Sequence, residues 1–144
     1  MLLAAAPVPP RFVALRKALG EALGNSRGGA LRAPLLDFAG QTTAGEALAL
    51  VAHASLAVSE DSGLMHLAWV QGVPPLALFG ASRSAWSRPE GPRADGFYSE
   101  DLSCGACMQP VCARGDLHCL VRVSVDDVEA RAVSLMRPPA AGIP

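Results

Sequence analysis

The sequence predicts an α/β fold built on a parallel sheet, and three observations carry this prediction. Short apolar runs alternate with segments of helical periodicity over the first 80 residues. Strand-length runs separated by helices of ten or more residues are typical of βαβ units. Of the 144 residues 51% are hydrophobic and only 5% are aromatic, so alanine, leucine and valine fill the core, as in parallel sheets that helices cover.

The first 80 residues contain four predicted strands, each a short apolar run bounded by loop residues. These strands are 1–6, 35–39, 56–59 and 75–79. Three helices are predicted between them, at about 9–23, 43–54 and 62–72. The second begins at a capping box, because Thr43 and Glu46 are spaced so that each satisfies a free backbone N–H of the other.

The alternation ends after residue 80. Residues 80–103 are rich in glycine, proline and arginine, with one short strand predicted near 97–99. All four cysteines lie in 104–119, which we call the cysteine segment. A last helix follows a second capping pattern at Ser124. We therefore expect one domain followed by a flexible tail, 1–136 and 137–144.

Composition and charge exclude several classes of function. The net charge is −1, the pI is near 6.3 and the arginines are scattered, so no basic face for a nucleic acid is indicated. No apolar run approaches the ~20 residues of a membrane span. The apolar N-terminus lacks the positive region of a signal peptide. We therefore expect a cytoplasmic protein.

Residues 59–66, here named the 59–66 turn, join a predicted strand to a predicted helix at the edge where open α/β sheets bind ligands. Gly63 allows close approach to the backbone, and the free N–H groups and dipole of the helix start favour a phosphate. Ser62 adds a hydroxyl, Asp61 can accept from sugar hydroxyls, and His66 lies one turn further on. The same residue types are ordinary helix caps, so spacing alone leaves both interpretations open.

The four cysteines fall within 16 residues, at Cys104, Cys107, Cys112 and Cys119. Four thiolates that begin with Cys-x-x-Cys suit one tetrahedral structural ion, zinc before iron. A reducing cytoplasm disfavours disulfides. Two disulfides, a redox-active pair, free thiols and His118 as a substitute ligand remain alternatives.

Four motifs occur in order between residues 37 and 82: D-F-A-G-Q-T-T, S-E-D-S-G-L-M-H-L-A, G-V-P and an apolar strand closed by F-G. Together they resemble the donor-binding core of glycosyltransferase family 9, the ADP-heptose:lipopolysaccharide heptosyltransferases. The resemblance implies the C-terminal, Rossmann-like half of a GT-B enzyme. It also implies a cysteine-rich loop, similar to the iron-binding finger of the related autotransporter heptosyltransferases, which keeps iron open.

The resemblance implies a role for each matching residue. Asp61 would contact the donor sugar, while Ser62 and Gly63 would bind the diphosphate. His66 would lie near the sugar or a phosphate, and Thr42 falls where the family's backbone meets the adenine ring. The implied donor is ADP-heptose or a similar nucleotide sugar, with a UDP-sugar as the alternative, transferred with inversion to a lipopolysaccharide-type acceptor.

The resemblance also leads us to expect that parts of the family enzyme are missing. We expect no counterpart of the family's acceptor-binding N-terminal domain and its catalytic base among these residues, so no residue is assigned as catalytic. We expect an isolated chain that is catalytically weak or inactive, that needs an acceptor-domain chain or forms a homo-oligomer, and that lies free or at the inner membrane face. A non-catalytic nucleotide-sugar-binding module and a small structural metal-binding protein are the competing interpretations.

Overall fold

The structure is a computed structural model, and it describes residue 36 and residues 38–137. The chain divides into two compact units, Met1–Ala49 and Leu50–Pro144. The predicted strand 1–6, the predicted helix 9–23 and all but the first residue of the predicted tail lie outside the described residues.

A tight turn precedes the first described helix. The N–H of Gln41 donates to the carbonyl of Phe38 at 3.0 Å, and Gly40 has a φ of 69°, which glycine adopts without strain. The predicted strand 35–39 is therefore wrong in its described residues, because the chain already turns at Ala39.

Helix α1 covers Ala44–Ala52 and begins at the predicted capping box. The Thr43 N–H donates to Glu46 Oε2 at 2.8 Å, and the Glu46 N–H donates to Thr43 Oγ1 at 3.3 Å. The bond from the Thr43 backbone is the main reason why the pKa of Glu46 lies below its usual value. Ala47 and Val51, one helical turn apart, are buried, so α1 presents one apolar face.

The second unit is built on a three-stranded parallel sheet in the order β1-β2-β3. Its strands are Ala57–Glu60 (β1), Pro75–Leu78 (β2) and Asp95–Phe97 (β3). The predicted strands at 56–59, 75–79 and 97–99 are thus confirmed to within two residues at each end. A mixed α/β architecture with a parallel sheet is what the alternation of periods predicted.

Four more helices are described, and the sequence predicted only the two longer ones. They are α2 (Gly63–Val70), α3 (Ser84–Ser87), α4 (His118–Val121) and α5 (Val125–Met136). α2 joins β1 to β2 as predicted, whereas α3 and α4 are single turns inside predicted loops. α5 begins at Ser124, whose Oγ accepts the N–H of Asp127 at 3.1 Å. Within the described ranges, every helix is too short or too polar to cross a membrane.

Strand β2 lies at the centre of the core. Leu76 and Ala77 are both fully buried (0% exposed), and because successive strand residues point to opposite faces, both faces of β2 are covered. On one face Met65 of α2 clusters with Ala77 and Phe79, and Tyr98 packs against this cluster. Burial of the central strand on both sides explains why it reads as an uninterrupted apolar run.

Arg131 sets the position of α5 against β3. Its Nη1 donates to Asp95 Oδ1 at 2.7 Å and to the carbonyl of Gly96 at 3.4 Å, and its guanidinium carbon lies 4.8 Å from the centre of the Phe97 ring. Exposed ion pairs contribute at most about 1 kcal/mol, so these contacts orient the helix more than they stabilise it.

Candidate functional site

The carboxyl ends of the three strands lie at one edge of the sheet, because all three are parallel. The 59–66 turn leaves β1 at this edge, as the sequence predicted, and the loops after β2 and β3 start there too. In open α/β sheets, ligands bind in the crevice outside this edge.

Asp61 is partly buried, and one of its oxygens is already engaged. The hydroxyl of Ser87 in α3 donates to Asp61 Oδ1 at 3.0 Å. A carboxylate has about four acceptor sites on its two oxygens. Asp61 therefore keeps capacity to accept ligand hydroxyls while Ser87 fixes its orientation.

Ser62 is the N-cap residue of α2, but its side chain does not cap the helix. Its backbone is extended (φ −155°, ψ 168°), and its hydroxyl makes no bond to the first turn. Instead, Ser62 Oγ lies 3.0 Å from Ser59 Oγ. The first N–H groups of a helix have no intrahelical partner. The start of α2 thus offers N–H donors, a hydroxyl and the positive end of a helix dipole to an anion.

Gly63 begins α2 and is exposed. A Cβ built at this position would meet no heavy atom within 4 Å, so packing does not require the glycine. The open space in front of its backbone is what the close approach of a ligand needs.

His66 and Thr42 are the other two predicted contacts. His66 on α2 is partly buried, with its ring centre 6.4 Å from that of Trp69, which in turn donates from Nε1 to the carbonyl of Glu90 at 2.9 Å. Thr42 belongs to the first unit, and its buried Oγ1 has no hydrogen-bond partner among the described residues.

Polar residues that the sequence analysis missed reach the turn from the loop after β2. Ser84 is 5% exposed, and its N–H and Oγ donate to Glu100 Oε1 at 2.7 and 2.6 Å. α3 then carries Ser87 to Asp61. No periodic pattern connects Glu100 with a serine 16 residues before it, so the sequence holds no signal for this contact.

The cysteine segment surrounds a cavity of about 210 Å³. All four cysteines line this cavity, together with His118 and Arg114, and none forms a disulfide. Among residue 36 and residues 38–137, no three His, Cys, Asp or Glu side chains are close enough together to hold a metal ion. The four-cysteine metal centre therefore stays a prediction, and zinc is without support among the described residues.

The backbone of the cysteine segment adopts conformations that side chains disfavour. Ala106, Met108 and Leu117 have φ values of 48°, 56° and 50°, and each such residue costs about 1–3 kcal/mol. Backbone N–H groups, that of Leu117 above all, hold the pKa of Cys112 below its usual value. A lowered pKa favours the thiolate, which is the form that binds metals.

A three-stranded parallel sheet with a helix start at its carboxyl edge places the chain in the class of open, Rossmann-like α/β domains. The sequence profile of glycosyltransferase family 9 (heptosyltransferase) matches residues 20–118. The match covers more than half of the chain, and the chain belongs to this family, which confirms the resemblance found in the motifs.

The chain is also similar to lipooligosaccharide heptosyltransferase 2 of Haemophilus influenzae, with 34% identity over 71 residues. This match covers 49% of the chain and 20% of the relative, so the matched part spans about a fifth of that protein's length. No solved structure gives a significant match.

Proposed function

We propose that the chain is the nucleotide-sugar-binding half of a heptosyltransferase-like glycosyltransferase of the GT-B type. The start of α2 carries the proposal, because the Ser62 side chain leaves the first N–H groups of the helix uncapped and Asp61 precedes it in the same turn. Membership of family 9 and the similarity to a heptosyltransferase favour ADP-heptose or a close analogue as the ligand.

Each residue of the proposed site has one task. The Gly63 backbone and the Ser62 hydroxyl bind the diphosphate of the donor. Asp61 accepts hydrogen bonds from the sugar hydroxyls, and His66 borders the sugar or a phosphate. For Thr42 we propose a backbone contact with the adenine ring, which rests on the family resemblance.

The reaction in this proposal is an inverting displacement. A bond forms between an acceptor oxygen and the anomeric carbon, the bond from that carbon to the diphosphate breaks, and the acceptor's proton passes to a base. The start of α2 stabilises the charge that grows on the leaving diphosphate, an effect that is typically worth a factor of about 10²–10³ per lost donor in comparable sites. We assign no base among the described residues, and the acceptor is proposed to be of the lipopolysaccharide type.

Isothermal calorimetry with ADP-heptose tests donor binding. Asp61→Ala and Ser62→Ala are each expected to weaken the affinity about tenfold, since each removes a hydrogen bond to a charged or polar ligand group. Ser124→Ala, which removes an N-cap hydroxyl at α5, is the matched control and should bind like the wild type. A folded wild-type chain that binds neither ADP-heptose nor a UDP-sugar would contradict the proposal.

We further propose that the four cysteines bind one structural metal ion, zinc or iron. The observation that favours this is that all four cysteines line one cavity. The chemistry of four thiolates suits either metal, whereas their present separation does not, so binding requires the segment to close on the ion. Mass spectrometry of the native chain should find one metal per chain, lost in Cys104→Ser/Cys112→Ser. A metal-free native chain with four alkylatable thiols, or with two disulfides, would refute it.

The wider organisation of the protein also stays a proposal. The domain limits 1–136, the tail 137–144 and a cytoplasmic location, free or at the inner membrane face, rest on the sequence alone. So does a requirement for an acceptor-domain chain or a second copy of this chain. Gel filtration of the full chain, with and without a candidate acceptor domain, tests the last point.

A further inference from the structure

Glu100 holds the first residue of α3 in place. Its Oε1 accepts both the N–H and the hydroxyl of Ser84, at 2.7 and 2.6 Å, and its Oε2 accepts the N–H of Ser99 at 3.1 Å. The Ser84 hydroxyl is the main reason why the pKa of Glu100 lies below its usual value. Both serines are buried, at 5% and 0% exposed, so these donors have no ready exchange for water.

Helix α3 connects Ser84 with the 59–66 turn. The helix is one turn long, and the Arg88 N–H donates to the Ser84 carbonyl at 2.8 Å, so the place of Ser84 fixes the place of Ser87. The Ser87 hydroxyl donates to Asp61 Oδ1 at 3.0 Å. Hydrogen bonds at both ends, joined by the backbone of α3, therefore connect the Glu100 carboxylate with the Asp61 carboxylate.

The cysteine segment also forms hydrogen bonds with Ser99 and with the loop after β2. Ser99 Oγ donates to the Gly80 carbonyl and accepts the N–H of Ala106 at 2.9 Å. The Met108 N–H donates to the Ala81 carbonyl at 2.8 Å. The loop after β2 is thus bonded both to Glu100 and to the cysteine segment.

We infer that Glu100 is a positioning residue for Asp61, acting through Ser84 and Ser87, and that it thereby sets how strongly the site selects a nucleotide sugar over the bare nucleotide. The inference rests on the proposed function, in which Asp61 contacts the sugar. With Ser87 bound to Oδ1, the remaining acceptor sites of Asp61 face ligand hydroxyls in one fixed orientation. Without Glu100, the start of α3 loses its acceptor and Asp61 loses the donor that orients it.

The test compares the affinities of ADP-heptose and ADP for the full chain by calorimetry. The ratio of the two affinities reports the contact with the sugar. Partial unfolding would weaken the binding of both ligands, so it would not change this ratio selectively. Wild type should prefer ADP-heptose, and Glu100→Ala should reduce that preference about tenfold with little change in ADP affinity, as expected for one lost hydrogen bond to a charged group. Glu129→Gln, which changes an exposed carboxylate of α5, should leave the preference unchanged.

Two further variants keep the inference falsifiable if Glu100→Ala unfolds. Glu100→Gln keeps one carboxamide oxygen for Ser84 and should recover part of the preference. Ser87→Ala should reproduce the loss, and the double variant Glu100→Gln/Ser87→Ala should lose no more than Ser87→Ala alone, because both act on one contact.

Three outcomes would overturn the inference, and they are distinguishable. A folded wild-type chain that binds neither ligand refutes the proposed function and the inference with it. If the wild-type chain binds ADP-heptose and ADP equally well, donor binding is retained, but the proposed contact between Asp61 and the sugar is refuted. A preference that survives in folded Glu100→Ala or Ser87→Ala, or additive losses in the double variant, refutes the positioning role alone.

Discussion

The 59–66 turn and the cysteine segment are held in place by different means. The turn joins β1 to α2, so two regular elements with their own backbone hydrogen bonds fix the position of its backbone. The cysteine segment includes only the first two residues of the short helix α4, and it has three non-glycine residues at positive φ. Its position depends on individual contacts with Ser99 and Ala81. A site at the end of a regular element is preformed, whereas a site in an irregular segment depends on what its side chains bind.

The largest expected effect is a difference in the free energy of unfolding between glycine variants of the two regions. A Cβ at Gly105 would lie 1.6 Å from the Ser99 carbonyl oxygen, so Gly105→Ala should lower the free energy of unfolding by about 3 kcal/mol. Gly63→Ala meets no atom within 4 Å and should be neutral or stabilising by less than about 1 kcal/mol. Urea unfolding measures both, and equal losses in the two variants would contradict the contrast.

Ser99→Ala should give the next largest effect. The buried hydroxyl joins the Gly80 carbonyl to the Ala106 N–H, and its removal leaves that N–H without an acceptor, a cost of about 1–3 kcal/mol in unfolding free energy. Ser103 is exposed and lies directly before the cysteine segment. Ser103→Ala should therefore change the free energy of unfolding by less than about 0.5 kcal/mol. A Ser99→Ala chain as stable as Ser103→Ala would show that the cysteine segment does not depend on this contact.

The two N-cap serines give a smaller and more specific comparison. Ser124 accepts the Asp127 N–H, so Ser124→Ala should cost about 1 kcal/mol of unfolding free energy. Ser62 makes no cap bond, so Ser62→Ala should cost less than about 0.5 kcal/mol while it weakens donor binding. Thermal unfolding together with calorimetry checks this pair. A large stability loss in Ser62→Ala would mean that the hydroxyl serves the fold and not a ligand.

The smallest expected effect is on the acid side of the stability profile. The pKa of Glu100 in the folded chain lies below its ordinary value of 4.5, chiefly because of the Ser84 hydroxyl. Its contribution to stability is therefore fully present above about pH 4.5 and is lost as the pH falls through the folded pKa. Urea midpoints between pH 5 and pH 3 should fall less steeply in Glu100→Gln than in wild type. An unchanged slope would show that this carboxylate is not held by its serines.

Sequence reasoning succeeded where local rules decide the structure. The alternating periods predicted β1, α2 and β2, the capping box at Thr43 predicted the start of α1, and the strand-to-helix order placed the 59–66 turn at the carboxyl edge. Each of these depends on residues within one or two turns of each other.

The failures involve contacts that are distant in sequence or conformations without a residue signature. The strand predicted at 35–39 is wrong in its described residues, because the chain turns at Ala39 and Gly40. The approach of Ser87 to Asp61, 26 residues apart, and of Glu100 to Ser84 depends on how loops fold back, which no period encodes. The cysteine spacing indicates a metal, and this stays a prediction, because spacing alone does not determine whether the thiols converge.

The central claim is that the start of α2 binds the diphosphate of a nucleotide sugar, and an amide NMR titration of the nitrogen-15-labelled chain with ADP-heptose tests it most directly. The account predicts that the largest shifts fall on the N–H groups of Ser62, Gly63 and Leu64, because these lie at the uncapped helix start. Saturable shifts confined to other residues, such as those around the cysteine cavity, or no shifts in a folded chain, would contradict it.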